Sequence, residues 1–354
     1  MKPETNLHNL KNSSKSQFAR TLRRLSLLAT VATYILIFAG GLVRVSGAGM
    51  GCPDWPKCYG MWIPPTDVSE LKPQYDPAAF NATLTWIEYI NRLMGVLVGL
   101  IIFATLVYAA ARFLRTPKLF LPALAATLLV AFQGWLGKVV VKTDLNPFIV
   151  TLHLSLALII VSILIYLTLQ AYSTERPQNH RQMQSNHGEQ AQKAAQNIEK
   201  SQVLQAAGLW LFAMMQLVLG TQVREKLEWL SRNFPLFTEA EWLMEVGWIG
   251  KLHGATGVLL AVLTWIVGYK LLSAERQLST LARNCILAMM GLALAEVVVG
   301  FSLVWIGIPA LMQVFHQWIA SLYIGLSFAL TVWLSLTEAQ ELVQVGERQV
   351  ATAN

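Results

Sequence analysis

The sequence contains few charged residues and few cysteines. Asp, Glu, Lys and Arg together make up 13% of its 354 residues, and only three are cysteine. A soluble domain normally carries about 25% charged residues. No small-residue cleavage site follows the first apolar run, which argues against a cleaved signal peptide. The formal net charge of +7 is spread between long apolar runs, so it indicates membrane orientation and not nucleic-acid binding.

The sequence contains long runs of apolar residues. A helix needs about 20 apolar residues to cross the hydrocarbon core, and eight segments of the chain meet this requirement. They cover residues 25–46, 86–111, 119–140, 148–172, 202–223, 248–272, 284–306 and 311–337. The sequence therefore predicts an all-α integral membrane protein with eight transmembrane helices, numbered here helix 1 to helix 8.

Lys and Arg concentrate in alternate connections, within residues 1–24, 112–118, 174–200 and 270–283. The positive-inside rule places these segments, and both termini, in the cytoplasm. Residues 174–200 are rich in Gln, Asn, His and Lys, a composition typical of a flexible linker. The predicted organisation is a cytoplasmic tail 1–24, an N-terminal half 25–172 with an outer loop 47–85, a linker 173–201, a C-terminal half 202–337 and a cytoplasmic tail 338–354.

The two halves repeat each other in sequence. Four short matches occur in the same order along each half. They are Gly40-x-x-Val43-Arg44 with Gly220-x-x-Val223-Arg224, Asn91-x-x-x-Gly95 with His253-x-x-x-Gly257, Gln133-x-x-x-Gly137 with Glu296-x-x-x-Gly300, and His153 with His316. Because each half has an even number of helices, the halves should be two tandem four-helix bundles related by a pseudo-twofold axis along the membrane normal.

Three histidines, His153, His253 and His316, lie within the predicted helices, one or two turns below the outer surface. A single histidine there could simply join two helices by a hydrogen bond. Three at equivalent repeat positions favour a function, because polar groups in a bilayer are costly. His253 and His316 are placed to face each other across a bundle, an arrangement that holds haem iron. Zinc is less favoured, since no further Cys, Asp or Glu joins them.

The first half lacks one histidine of this set. Asn91 stands where the repeat predicts a partner for His153, and Glu88 lies three residues earlier, on the same helix face. Glu88 could cap the first turn of helix 2, or it could act as an acid–base group beside a ligand that His153 holds from one side. A haem with one open face suits chemistry and a bis-histidine haem suits electron transfer, so the halves are expected to divide these tasks.

The outer loop and the helix ends add two further expectations. Cys52 and Cys58 are close in an outer loop with two prolines, which favours a disulfide, with a metal pair or two free thiols as alternatives. Four basic residues lie near the level of the histidines and are either partners for haem propionates or ordinary interfacial side chains. They are Arg44, Arg92, Arg224 and Lys251.

At these residues the chain resembles the haem A synthase family of membrane enzymes. The resemblance rests on the segment from Gly40 to Gly60, GGLVRVSGAGMGCPDWPKCYG, on Glu88-x-x-Asn91-Arg92-Leu93 and on the intramembrane histidines, and it covers residues 22 to 337. It implies oxidation of a ring methyl of haem O to a formyl group, which gives haem A for cytochrome oxidase. The chemistry implied is two hydroxylations followed by loss of water.

The resemblance also implies residue roles. His253 and His316 match the ligands of a haem B in the C-terminal half, and His153 and Glu88 match the substrate-haem positions of the N-terminal half. The family usually has Glu-x-x-His on helix 2, whereas this chain has Glu-x-x-Asn, so Asn91 puts ligation of the substrate haem in doubt.

The partners expected are haem O, the haem O synthase that supplies it and an unidentified electron donor, in the cell inner membrane. No nucleic acid is expected, and a homo-oligomer is left open. One rival function is an electron-transfer subunit of the cytochrome b type, which does not explain Glu88 or the Cys-Pro loop. A transporter ranks third, because the prolines lie at helix ends and in loops.

Overall fold

The computed structural model of the chain describes residues 3–175, 189–274 and 278–352. The described backbone is almost entirely helical, and its only β-type pairing is an isolated bridge between Cys58 and Met61. Eight of the described helices are long and apolar enough to cross a membrane, which confirms the predicted class. Helices 1 to 8 are, in order, Pro3–Val45, Ala82–Phe113, Pro117–Lys142, Pro147–Glu175, Glu189–Asn233, Trp248–Ser273, Thr280–Ile306 and Ala310–Thr352.

Several helices extend beyond the predicted apolar segments. Helix 1 begins at Pro3 and helix 8 continues to Thr352, so most of both predicted tails is helical. Helix 5 begins at Glu189, within the predicted linker, and residues 176–188 of that linker lie outside the described residues. A polar segment rich in Ala, Gln, Glu and Lys has good helix propensity and can continue a helix that is already nucleated. The flexibility of the linker stays a prediction.

Helix 2 begins earlier than predicted, and its start bears on the role of Glu88. Asn81 is the N-cap, and its side chain accepts a hydrogen bond from Leu84 N at 3.1 Å. Glu88 therefore lies in the second turn and does not cap the helix. In helix 3, Pro122 lies in the second turn of the helix and not at its end, which corrects the expectation that the prolines lie only at helix ends and in loops. Since proline has no N–H, the carbonyl of Lys118 lacks its usual intrahelical donor.

Both halves use the same scheme of helix contacts. In the first half, helices 1 and 3 each pack against helices 2 and 4, and in the second half helices 5 and 7 each pack against helices 6 and 8. Between the halves, helix 1 contacts helix 8, helix 4 contacts helix 5, and helices 4 and 8 contact each other. Exchange of the two halves leaves this pattern unchanged, as a twofold relation requires. The axis itself stays a prediction.

One end of the bundle, called here the loop end, carries the segments 46–81, 143–146, 234–247 and 307–309. The loop end also contains the short helix Glu239–Glu245, with a capping box formed by Thr238 and Glu241. The largest apolar cluster joins the two halves through side chains such as Ile37, Leu158 and Ile324. Two further clusters fill the first half toward the opposite end. The packed core therefore supports, from below, the turns that carry the histidines.

Candidate functional site

His253 and His316 face each other across the second half. Each lies within the first two turns of its helix at the loop end, about 7–9 Å from the helix start at 1.5 Å per residue. Their ring centroids are 6.2 Å apart, and their ring planes are nearly perpendicular at 87°. A bond of about 2 Å from a metal to each imidazole nitrogen leaves two opposed rings about 6 Å apart. The observed spacing therefore fits one iron held between the two rings.

Glycines of the repeat lie beside the histidine rings. A Cβ placed on Gly220 of helix 5 would come within 3.0 Å of His253 Cε1, closer than ordinary van der Waals contact. A Cβ on Gly300 would lie 3.4 Å from His316 Cε1, and one on Gly137 would lie 3.6 Å from the same atom of His153. A glycine at these positions lets the neighbouring helix approach an imidazole closely.

Gly40 is the counterpart of Gly220 in the first half, and it faces a different environment. No atom of the described chain lies within 4 Å of a Cβ built on Gly40, because Asn91 replaces the histidine that its counterpart accommodates. Gly220 therefore makes room for an imidazole of the neighbouring helix, whereas its counterpart Gly40 does not.

Polar side chains hold both imidazoles of the second half. The Glu296 carboxylate of helix 7 contacts His316 Nδ1, so the expectation that no acidic residue joins the histidine pair is wrong. The Gln216 side-chain amide of helix 5 lies 3.0 Å from His253 Nδ1 and also donates to the His253 carbonyl at 2.6 Å. Thr256 Oγ1 in turn donates to Gln216 Oε1 at 2.7 Å. Metal-binding histidines are usually oriented in this way through the nitrogen that does not bind the metal, so Nε2 of each ring is left for a ligand.

The first half presents its histidine differently. Gln133 of helix 3 stands at the repeat position of Glu296, but its amide donates to the His153 carbonyl at 2.9 Å and not to the ring. His153 Nδ1 is buried, and no described residue hydrogen-bonds to it. Asn91 Oδ1 and Glu88 Oε2 are likewise buried, and no described residue hydrogen-bonds to either atom. Buried polar atoms normally have partners, so these atoms, together with Gln133 Oε1 in the same half and Glu296 Oε1 in the second half, are available to a polar ligand.

Glu88 is 5% exposed and forms an ion pair with Arg92 one turn later. Its Oε1 atom accepts hydrogen bonds from Arg92 Nε at 3.0 Å and from Arg92 Nη2 at 2.8 Å. The two carboxylate oxygens therefore differ. Oε1 is held by the guanidinium, while Oε2 has no partner among the described residues.

The outer loop packs directly against helix 2 near Glu88. Cys52 and Cys58 form a disulfide and are both fully buried, which confirms the first of the alternatives considered from the sequence. Thr85 Oγ1 donates to the Gly51 carbonyl at 2.9 Å. A Cβ on Gly51 would lie 2.4 Å from the Leu84 carbonyl oxygen, so only glycine permits this close approach of the two backbones.

The basic residues at the loop end occupy three different environments. Arg44 of helix 1 and Arg224 of helix 5, which correspond in the repeat, both approach Glu228, at 3.4 and 4.0 Å. Arg224 also contacts the Gln313 side chain, one turn before His316 on helix 8. Arg92 contacts the outer loop, whereas Lys251 is solvent-exposed. The two corresponding arginines thus meet where the halves join.

Sequence reasoning identified the histidines but missed the residues that hold them. Gln216 precedes Gly220 by four residues, whereas Leu36 holds the same place before Gly40. Thr256 likewise has Met94 as its counterpart. The first half has therefore lost not only a histidine but also the two polar residues that orient it, a signal that a residue-by-residue comparison of the repeats could have revealed. Among the described residues, no group of three or more His, Cys, Asp or Glu could hold a metal ion alone.

Comparison with known proteins agrees with this arrangement. The chain is similar to proteins named haem A synthase, with 35% identity over 149 residues to that of Shewanella oneidensis and 31% over 147 residues to that of Geobacillus kaustophilus. These matches cover 40% and 42% of this chain, and the chain spans only 43% and 42% of the two relatives. The match to the Shouchella clausii protein is 25% identical and covers 78% of this chain and 86% of the relative.

The family model described as cytochrome oxidase assembly protein, COX15-CtaA, matches residues 23–328. This range covers the eight membrane-spanning helices except the first part of helix 1 and the last part of helix 8, and it includes the outer loop and all three intramembrane histidines. The chain therefore belongs to the COX15-CtaA family of cytochrome oxidase assembly proteins.

Proposed function

We propose that this chain is a haem A synthase, an enzyme that oxidises a ring methyl of haem O to a formyl group. The observation that supports it most strongly is the asymmetry between two halves that share one helix arrangement. The second half has a supported pair of imidazoles at the right spacing for iron. The first half has one histidine, to whose Nδ1 no described residue hydrogen-bonds, and a buried carboxylate, Glu88, whose Oε2 has no partner among the described residues. An electron-transfer subunit with two equivalent haem sites would not need this difference.

In the second half, His253 and His316 are the proposed axial ligands of a haem B. That haem, when bound, supplies a one-electron redox centre. Glu296 holds His316 through Nδ1, and Gln216 holds His253 in the same way. In the structure the Gln216 amide nitrogen faces His253 Nδ1 and donates to the His253 carbonyl, so His253 would bind iron through Nε2 with its proton on Nδ1 and the amide turned to present its oxygen. Arg44, Arg224 and Lys251 are the proposed partners of haem propionates at the loop end.

In the first half, His153 is the proposed protein ligand of the substrate haem O, and Glu88 is the proposed catalytic residue. Its Oε2 atom, which no described residue contacts, is available to accept or donate a proton at the substrate. Asn91 is a poor iron ligand, so the face of the substrate opposite His153 stays open for chemistry. Conversion of methyl to formyl requires two hydroxylations, each a two-electron oxidation by an oxidant that the chain does not itself supply, and then loss of water from the geminal diol. A carboxylate at the substrate can accept or donate protons in these steps.

The proposed setting is the cell inner membrane, with the loop end outside and both termini in the cytoplasm. The Lys- and Arg-rich connections 112–118 and 270–283 lie at the end opposite the disulfide loop, as the positive-inside rule requires. The expected partners are haem O, the haem O synthase that supplies it and a separate electron donor. Association with a second copy of the chain stays a prediction.

The test is production of haem A in a bacterial host that lacks its own haem A synthase and contains a haem O synthase. Cells that express this chain should yield haem A, identified by mass after extraction, and cells with the empty vector should yield only haem O and haem B. Purified protein that contains haem B but never produces haem A would instead support the electron-transfer alternative.

A further inference from the structure

Arg92 is the residue that joins the outer loop to Glu88. Its guanidinium donates from Nη1 to the Asp54 carbonyl at 2.7 Å and to the Lys57 carbonyl at 3.2 Å, and from Nη2 to the Cys52 carbonyl at 3.0 Å. The two remaining donors bind Glu88 Oε1. An arginine side chain has five N–H donors, so every donor of Arg92 is used within the protein.

This arrangement differs from that of an ordinary surface pair. Three of the five hydrogen bonds end on backbone carbonyls of the loop that the Cys52–Cys58 disulfide closes. A lysine could not reproduce them, since the planar fork of arginine reaches several acceptors at once. A propionate could bind Arg92 only by replacing one of the five bonds, so the predicted role of Arg92 as a propionate partner would require either rearrangement of the loop or release of Glu88.

The loop has a compact structure of its own that can support such an anchor. Tyr59 packs against Tyr75 and Phe80 at ring-centroid distances of 5.2 and 5.3 Å, and both half-cystines are buried in the same cluster. Gly51 and Thr85 fix the start of the loop to helix 2. The three carbonyls that Arg92 contacts are therefore held in place by the loop and not by helix 2 alone.

We propose that Arg92 is a positioning residue through which the disulfide-closed loop fixes the orientation of the Glu88 carboxylate. The loop holds the guanidinium, the guanidinium holds Oε1, and Oε2 is thereby directed away from Arg92 and left free for the substrate. This inference rests on the proposed function only where Glu88 acts on haem O. The contact between Arg92 and the loop is independent of it.

The first measurement tests the anchor without any reaction. Because both cysteines are 0% exposed, a phosphine reductant reaches the disulfide only when the loop opens. In purified, haem-containing Arg92→Lys protein, reduction should be at least about tenfold faster than in the unmodified chain, since three charge-assisted hydrogen bonds to the loop are weakened. Arg232→Lys is the matched control. Arg232 also pairs with a glutamate four residues away but is 64% exposed, and its substitution should leave the rate unchanged.

The second measurement tests the coupling to Glu88. Arg92→Lys and the pair Cys52→Ser with Cys58→Ser should each lower haem A formation about tenfold and increase the ratio of hydroxylated intermediate to haem A. All variants should keep the haem spectrum of the second half, which shows that they fold. Combining the changes should lower haem A formation no further than either alone, because residues that act through one contact are not additive.

The rate of disulfide reduction tests whether Arg92 anchors the loop, and haem A formation tests whether the loop acts on Glu88. Equal rates of disulfide reduction in Arg92→Lys and the unmodified chain would overturn the anchor. The coupling would be overturned if the fold-loss of haem A formation in the combined variant equals the product of the losses in the two separate variants. Normal haem A formation in Arg92→Lys would also overturn it. If Glu88→Gln forms haem A normally, the proposed catalytic role of Glu88 is wrong, while the reduction rates still decide whether Arg92 holds the loop.

Discussion

The two halves of the chain share one arrangement of helices but support their histidines to different degrees. In the second half, Gln216 and Glu296 each contact the Nδ1 atom of a histidine, and the two rings face each other at 6.2 Å. In the first half, His153 has no Nδ1 partner among the described residues, and Asn91 occupies the repeat position of His253. The fold is repeated, whereas the polar contacts around the site are not.

Under the proposed function, this difference would distinguish a site that keeps its ligand from a site that exchanges it. A histidine whose second nitrogen is hydrogen-bonded is a fixed and more basic ligand, as a permanently bound cofactor needs. A histidine without that support binds more weakly and can release a product. The buried Glu88 adds a proton-transfer group to the exchangeable site only. Under the proposed function, storage and delivery of electrons would fall to the second half and reaction to the first.

The largest effect is expected from substitutions that remove the proposed haem site of the second half. His253→Ala or His316→Ala takes away one of two axial ligands, and the purified protein should lose the low-spin haem signal of the second half. The optical and electron paramagnetic resonance spectra measure this loss. His153→Ala is the control from the other half and should keep that signal. A low-spin signal unchanged in both second-half variants would contradict the assignment.

The next effect tests the first site. Glu88→Gln preserves the shape of the side chain and its contact with Arg92 but removes the titrating proton. Haem A formation should fall by about 100-fold or more, because general acid–base catalysis contributes about 10²–10⁴-fold, and hydroxylated haem should accumulate. Extracted haems are identified by mass. The low-spin haem of the second half should be unaffected, and a normal rate of haem A formation would show that Glu88 has no catalytic role.

An intermediate effect is expected when the second half is made to resemble the first. Glu296→Gln introduces the residue found at the repeat position of the first half, Gln133. Loss of the carboxylate beside His316 should weaken haem retention about 10–100-fold, the usual cost of removing such a partner. Transfer of haem to apomyoglobin measures the rate of loss. Gln133→Glu is the reciprocal control and should leave that rate unchanged, whereas equal rates for Glu296→Gln and the unmodified chain would contradict the prediction.

The smallest effect is expected when the first half is made to resemble the second. Asn91→His alone restores an imidazole but not the residue that orients it, because Leu36 stands where the second half has Gln216. Asn91→His combined with Leu36→Gln should give a six-coordinate spectrum for haem O bound in the first half, and the single change should give only a partial shift. Haem O titrations of both variants provide the measurement. Identical spectra would show that Gln216 does not orient its histidine.

Much of the site could be predicted from the sequence because it depends on order and depth along the helices. Histidines at the same distance from the loop end of alternate helices must lie at one level, so the pairing of His253 with His316 followed from the repeat. The start of helix 2 was placed too late, because the apolar run begins several residues after the capping Asn81. The tails were predicted only to be cytoplasmic, and in the structure polar residues with high helix propensity extend the membrane helices into them.

The contacts of single side chains could not be predicted in the same way. Glu296 and Gln133 match in the repeat, yet one contacts a ring nitrogen and the other a backbone carbonyl. Arg92 was considered a propionate partner from its position alone, and only the folded loop shows that all five donors are already used. Such contacts depend on rotamers and on backbone segments from other elements, which the spacing of residues in one helix does not specify.

The sequence by itself determined that the chain forms eight membrane-spanning helices in two repeated halves, with an intact pair of histidines in only one of them. These features follow from hydropathy and helical periodicity, which act locally along the chain. Only the tertiary structure decided which groups hold each histidine, that Glu88 is held by Arg92 and that the disulfide loop lies on helix 2. These contacts join residues far apart in sequence, and they form only when packing brings the helices and the loop together.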